Sequence, residues 1–308
     1  MTIRRVKIIL NPHAGMDSAK SKADALRPLA QELGGADWVE TTQPRHAVEL
    51  ARQVAGEGYD LIIAAGGDGT AHEVLNGILQ VPAEQRPCMA ILPVGSGNDF
   101  SHMTGIPGQP EAALRQIYAN PAGTIDLGVL SLEDGRKEYF GSALGIGFDS
   151  IVTIRAKRLK FIHGYLMYLT AVFQAILLDH DSPHMQISTD REDWEETVVM
   201  LVVMNGRREG GGFFVTPQAL PDDGLFDYAQ IRHVSRLMML RILPEVMKGT
   251  HTTLKDVRMG QCRKLDLRAD KPLVLHADGE ILAGFDSTIR QLSVELIPQG
   301  LKIIRGTS

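Results

Sequence analysis

The sequence predicts an α/β domain with a doubly wound parallel sheet at residues 1–125, followed by an antiparallel β-sandwich domain at 126–297. Three observations carry this. Short apolar runs alternate with helical patterns in the first segment, short β-rich runs separated by turn signals fill the second, and 308 residues make about two domains at roughly 150 each. A last apolar run at 300–305 gives residues 298–308 a way back into the first sheet.

Residues 6–10 read as a strand, 18–33 as a helix, 38–41 as a strand and 47–56 as a helix. Residues 61–65 and 88–92 are apolar runs bounded by Gly or Pro, as strands buried on both faces are, and 71–79 between them repeats at helical spacing. Strands joined through helices need right-handed crossovers, which makes their sheet parallel. Beyond residue 125, strands are expected at 125–132, 139–147, 184–189, 197–204, 226–231, 264–268, 273–276 and 291–296, with helical stretches at 161–178 and 235–247.

Lys plus Arg number 32 against 37 Asp plus Glu, a net charge of −5, and 44% of residues are hydrophobic. Such a chain buries cores, so global disorder is excluded, and it has no overall positive field to draw it onto nucleic acid. An anionic partner must be met by a local site. Cys88 and Cys262 stand apart without a CxxC, which points to a reducing compartment. The start MTIRRVKIIL runs into Asn-Pro without the long apolar stretch of a signal peptide, and residues 164–178 fall short of the roughly 20 apolar residues of a membrane span. A cytoplasmic protein is expected.

The sharpest local feature is Gly66-Gly67-Asp68-Gly69-Thr70, directly after the strand LIIAA and before a helical pattern. In an open α/β sheet, the loop from a strand's carboxyl end into a helix N-terminus is where phosphates bind, because unpaired N–H groups and the helix dipole meet there. Asp68 would repel phosphate unless it holds a bridging Mg²⁺ or acts through ordered water. The plainer reading is a Gly-rich turn with Thr70 as helix cap. Two other strand ends carry comparable loops, Asn11-Pro12-His13-Ala14-Gly15 and Pro93-Val94-Gly95-Ser96-Gly97-Asn98-Asp99, and parallel strands place all three on one rim. No GxxxxGK[ST], GxGxxG, HExxH or GxSxG is present.

With NPHAG at 11–15, GGDGTAHEVLNG at 66–77, LPVGSGNDF at 92–100, LPDDGLFD at 220–227 and HADGE at 276–280, the sequence resembles the diacylglycerol kinase catalytic-domain family. The bacterial soluble lipid kinases of that family, which share GGDGT with the 6-phosphofructokinase and NAD kinase superfamily, are the nearest in pattern. The resemblance implies a nucleotide-binding α/β domain, a β-sandwich lipid-substrate domain, and ATP- and Mg²⁺-dependent phosphorylation of a lipid hydroxyl, foremost diacylglycerol to phosphatidic acid. It assigns the nucleotide to Asn11, Pro12 and Gly15, to Thr41, to Gly66, Gly67, Asp68, Gly69 and Thr70, and to Ser96, Asn98 and Asp99. Ser96 stands where Thr is more usual, and His72 where many relatives carry Asn.

Taken alone, Asp222-Asp223-Gly224 is a solvated β-turn and Asp278-Gly279-Glu280 a hairpin turn. The resemblance implies instead a structural Mg²⁺ on Asp223 and the main-chain oxygens of Leu220 and Leu225. It makes Glu280 the general base toward the acceptor hydroxyl and Asp68 the residue that positions the catalytic Mg²⁺. The histidines, His276 among them, are scattered without metal-ligand spacing, and Met238, Met239 and Met247 lie on an apolar helical stretch as core residues do.

Arg155, Lys157, Arg158 and Lys160 precede the apolar stretch with Tyr165, Tyr168 and Phe173. This is either a solvated helix end leading into a core helix or an interfacial element that docks on the cytoplasmic leaflet. An exposed sandwich edge offers a homodimer contact. The rival readings are an NAD kinase, against which NPHAG and LPVGSGND argue, and a lipid-binding regulatory protein without catalysis, against which Asp68 and Glu280 argue.

Overall fold

The computed structural model describes residues 5–15, 17–95, 97–159, 162, 164–179 and 182–306, with the backbone alone at 164 and 165. Ser96, Lys160, Phe161, His163 and the side chain of Tyr165 therefore lie outside the described residues. The chain divides into two units, Met1–Ile125 with Gln299–Ser308, and Asp126–Pro298.

In the first unit, β1 (Val6–Leu10), β2 (Asp37–Glu40), β3 (Leu61–Gly66) and β4 (Cys88–Pro93) form a parallel sheet in the order β2-β1-β3-β4. Ile303, near the end of the last strand, pairs in parallel with Met89 of β4. The helices are α1 (Ser18–Leu33), α2 (His46–Gly56), α3 (Asp68–Ile78), α4 (Asp99–Met103) and α5 (Pro110–Ala119). Ile8, Leu10, Ile63 and Ala65 pack with Leu26 of α1 and Leu114 of α5, while the alternate residues Ile9, Ile62 and Ala64 are equally buried. That double burial is why β3 reads as an unbroken apolar run. Close packing of α2 on α3 requires a glycine: a Cβ on Gly77 would lie 2.3 Å from the Val48 carbonyl oxygen.

β5 (Ala122–Leu132) leads into the second unit, which contains β6 (Lys137–Phe140), β7 (Ala143–Gly147), α6 (Phe148–Arg158), α7 (Gly164–Leu178), β8 (His184–Thr189), β9 (Asp193–Met204), β10 (Phe226–Arg232), α8 (Arg236–Lys248), β11 (Val257–Cys262), β12 (Lys264–Ala269), β13 (Leu275–Ala277), β14 (Glu280–Ala283) and most of β15 (Gln291–Ile304). One antiparallel sheet runs β14-β13-β7-β9-β10-β11, and the start of β9 continues through β8 and β12 to β15 in the other. Phe140, Leu201, Val203, Phe226, Leu265 and Val294 fill the core between the sheets. The opposite face of the first sheet, with Val199, Val202 and Ile231, is covered by α6, α7 and α8. β9 is thus buried on both sides along VVMLVVM.

The architecture is the expected α/β domain plus antiparallel sandwich, with local differences. Residues 139–147 form two strands, because the N–H groups of Gly141 and Ser142 go to the Asp278 carboxylate rather than to a strand neighbour. The runs expected at 291–296 and 300–305 fall on one strand, β15, which ends at Ile304 and takes a positive φ of 50° at Gln299. The helix expected from Ala71 begins at Asp68, so its cap position is Gly67 and Thr70 is an interior residue of its first turn. Short α4 and α5, together with α6, β11 and β14, fall outside the sequence expectation because each is brief or lacks a clean apolar period.

Candidate functional site

In the first unit the three loops at the strand carboxyl ends touch. Val94 N–H and Gly95 N–H both donate to the Gly66 carbonyl, at 3.1 and 3.0 Å. A Cβ on Gly95 would stand 2.4 Å from Gly67 Cα, and one on Gly15 2.7 Å from the Val94 carbonyl oxygen, so glycine is a condition of the approach at both places. Side chains complete the weave: Asn11 Nδ2 lies 3.2 Å from Thr70 Oγ1, and Phe100 N–H donates to Asp68 Oδ1 at 2.9 Å.

The first bond inside α3 is Ala71 N–H to the Gly67 carbonyl at 3.1 Å. The N–H groups of Asp68, Gly69 and Thr70 precede it, at the positive end of the dipole. Asn98 takes a left-handed conformation, donates to the Gly95 carbonyl at 3.1 Å, and holds its Oδ1 buried without a hydrogen-bond partner among the described residues. An orphaned acceptor beside Gly-rich backbone fits a bound ligand's hydroxyl or amine. Thr41 is buried at the end of β2, with its N–H on the Leu10 carbonyl, and Asp99 is buried in α4. Asn11, Gly15, Gly66, Gly67, Asp68, Thr70 and Asn98 are thus brought together. Pro12 and Gly69 lie in the same loops, and Ser96 lies outside the described residues. His72 is buried on α3 with Asn76 Nδ2 3.3 Å from its Nε2, which places it among core residues.

In the second unit, Asp278 and Gly279 have φ of 48° and 82° and link β13 to β14 with Ala277 opposite Glu280, the geometry of a two-residue type I′ hairpin. The buried Asp278 carboxylate accepts N–H bonds from Gly141, Ser142 and Ala143 at 3.0, 2.8 and 3.0 Å. Asp278→Ala leaves three buried N–H groups unpaired at about 1–3 kcal/mol each. A loss of about 3 kcal/mol or more is expected, checked by the urea midpoint at unchanged slope.

His276, fully buried, is the second anchor of this hairpin. Gly279 N–H donates to its Nδ1 at 3.2 Å, so Nε2 carries the proton and gives it to Asp149 Oδ2 at 2.6 Å, with Glu209 Oε1 3.3 Å away. A chain of bonds therefore runs from Asp149 on α6 through His276 to the residue before Glu280. Glu280, half-exposed, meets Lys157 Nζ at 2.9 Å. Asp149 and Glu209 also line a cavity whose other walls include Val152, Tyr168, Ile176, Met239 and Ile242. An apolar cavity ending on a few polar groups suits a ligand with an acyl chain and a hydroxylated head. Asp149, Glu209 and His276 are separated too widely in sequence to signal themselves; only the nearness of His276 to Glu280 in HADGE was a cue.

The loop at 220–227 turns at Gly224 (φ 77°), whose N–H donates to the buried Asp126 Oδ2 at 2.7 Å. Leu225 N–H donates to Asp223 Oδ1 at 3.0 Å, which brings two of the three predicted ligand residues together, while Leu220 lies exposed three residues earlier. Burial raises the Asp227 carboxyl above the ordinary range against a hydrogen bond from Gln261, and the charge of Asp223 raises it further. Hard oxygen donors in a locally crowded negative field fit Mg²⁺.

Comparison with known proteins agrees with both halves. A family model described as the diacylglycerol kinase catalytic domain matches residues 5–130, and one described as the YegS C-terminal NAD kinase beta sandwich-like domain matches residues 142–305. The chain is 28% identical over 307 residues to a protein named diacylglycerol kinase from Mycobacterium tuberculosis, covering 98% of this chain and 96% of that one. It is 32% identical over 266 residues to a Yersinia pestis protein named "Probable lipid kinase YegS-like", covering 83% and 82%. A crystal structure of a diacylglycerol kinase from Bacillus anthracis shares the fold, with a TM-score of 0.72 at 21% identity over 99% of this chain and 98% of that one.

Proposed function

The chain belongs to the diacylglycerol kinase catalytic-domain family with a YegS-type C-terminal domain, and from that membership we propose that it transfers the γ-phosphoryl group of ATP to a lipid hydroxyl, with diacylglycerol as acceptor and Mg²⁺ as cofactor. The observation that carries this reading is the meeting of three Gly-rich loops around the N-terminus of α3, with the Asp68 carboxylate among them. Backbone N–H groups and the helix dipole hold the phosphates there. Asp68 holds the metal, and its Oδ1 also accepts the Phe100 N–H, which fixes the carboxylate in the loop. When bound, Mg²⁺ neutralises charge on the β- and γ-phosphates.

Glu280 orients the acceptor hydroxyl and takes its proton. The acceptor oxygen forms a bond to the γ-phosphorus, the bond from that phosphorus to the bridging oxygen breaks, and ADP leaves. The apolar cavity receives the acyl part of the acceptor. ATP use fits a cytoplasmic enzyme that visits the membrane for its lipid. The test is labelled ATP with Mg²⁺ and, in parallel, diacylglycerol, other lipid alcohols and NAD. Labelled phosphatidic acid is the expected product; label in NAD alone, or no ATP consumption with any lipid, overturns the reading.

The same reading gives Asp223, with the main-chain oxygens of Leu220 and Leu225, a second, structural Mg²⁺. In metal-free buffer the raised Asp227 makes the folded state hold the extra proton between the ordinary carboxylate pKa and its own. Its contribution to stability therefore falls as pH rises through that window and stays low above it. Mg²⁺ is expected to raise the unfolding temperature at neutral pH and to flatten this dependence, and Asp223→Ala to abolish both effects. Equal Mg²⁺ stabilisation in the variant removes the site.

A further inference from the structure

The outward faces of α7 and α8 are unusual for surface helices. Leu166, Leu177, Leu178 and Leu237 are 60, 63, 66 and 77% exposed, and Phe173 and Leu240 43 and 37%. Leu166, Phe173 and Leu177 fall on one stripe of α7, which contains no charged residue, and Leu237 and Leu240 start a matching stripe on α8. The two helices pack against each other. Scattered exposed leucines need no explanation, but two aligned stripes on adjoining helices do.

Among the described residues the exposed charges on this surface have one sign. Arg236, Arg241 and Lys248 of α8 are exposed, and none forms an ion pair among the described residues. Glu245, the acid of α8, is half-buried and bonded to Thr250, and Asp179 beyond α7 is taken by Arg155. The sequence offered a different set of cations for docking, the basic run at 155–160, beside its plainer reading as a solvated helix end. The structure engages Arg155 with Asp179 and Lys157 with Glu280, and sets Arg158 over the Phe285 ring. The cations beside the exposed leucines are those of α8.

We propose that the outer faces of α7 and α8 dock on an anionic phospholipid bilayer, with the leucines and Phe173 at the acyl boundary and Arg236, Arg241 and Lys248 on the headgroups. This deepens the lipid-kinase reading and rests on it for the purpose of docking. In a symmetric pair of this patch like cations would face like cations, so its exposed Arg236, Arg241 and Lys248 select an anionic surface over a second copy. The inner faces of the same helices, through Tyr168, Val172, Met239 and Ile242, wall the cavity assigned to the acyl chain. The element that meets the membrane is therefore also the wall behind which its lipid would be held.

The test is co-sedimentation of the full chain with phosphatidylcholine vesicles and with vesicles that also contain phosphatidylglycerol, without ATP. Salt-sensitive binding to the anionic vesicles is expected. Arg236→Glu with Arg241→Glu and Lys248→Glu, and separately Leu177→Asp with Leu237→Asp, are each expected to weaken it at least about tenfold. Circular dichroism and phosphorylation of short-chain diacylglycerol in detergent should stay as in the unchanged chain. Undiminished vesicle binding by both variants overturns the proposal. So does binding indifferent to lipid charge and salt, or a shift from dimer to monomer with vesicle binding intact. Docking as expected, with no lipid phosphorylated by the unchanged chain, leaves this surface standing and removes the kinase reading alone.

Discussion

Asp68→Asn is expected to lower kcat/KM for lipid phosphorylation by about 10²–10³-fold while the chain stays folded, the size of effect seen when one preorganised electrostatic group is removed. The choice of asparagine follows from what else Asp68 does. Its Oδ1 accepts the Phe100 N–H at 2.9 Å, tying the GGDGT loop to the start of α4. Asparagine keeps that oxygen and forfeits the charge, which at a helix N-terminus contributes about 0.3–1 kcal/mol. Alanine would also leave the Phe100 N–H without its acceptor, at about 1–3 kcal/mol. Both variants should therefore lose the same activity, and only Asp68→Ala should lose appreciable stability in urea. Steady-state kinetics at saturating Mg²⁺ and ATP check the first statement, and wild-type turnover in the asparagine variant would take the charge out of the mechanism.

How much of this was legible in the sequence depends on where the partners of each residue lie. The loop at 66–70 was plain because its signal is local: a strand buried on both faces, three glycines and a helix in one stretch. Only the fold shows that Gly95 must lack a side chain because Gly67 is in the way. The second unit hid more. Asp278 reads as a turn residue, yet its carboxylate gathers backbone from 136 residues earlier and thereby breaks what looked like one strand into β6 and β7. The pairing of Asp149 with His276 spans 127 residues, and no periodicity reports a contact of that separation. The basic run before α7 shows the same limit. Clustering of charge is visible in sequence; the pairing of Arg155 with Asp179 and of Lys157 with Glu280 is not.

Glu280→Gln is expected to cost about 10²–10⁴-fold in kcat, the range for removing a general base. Little stability should go with it. Glu280 is half-exposed, its side-chain hydrogen bond goes to Lys157 at 2.9 Å, and a pair of that exposure contributes about 0–1 kcal/mol. The amide keeps the size and one acceptor oxygen, so the hairpin held by Asp278 is undisturbed. What distinguishes a base from a merely structural carboxylate is the pH profile. The acidic limb of kcat/KM should be present in the unchanged chain and missing in Glu280→Gln. His276 provides the contrast, because it acts on Glu280 only through the Gly279 N–H and so is a positioning residue. His276→Gln should lower kcat by misplacing the hairpin but leave the acidic limb where it was, since the base is still there to titrate. If the limb instead persisted in Glu280→Gln and vanished in His276→Gln, the proton would pass to the Asp149–His276 pair and Glu280 would be the residue that positions it.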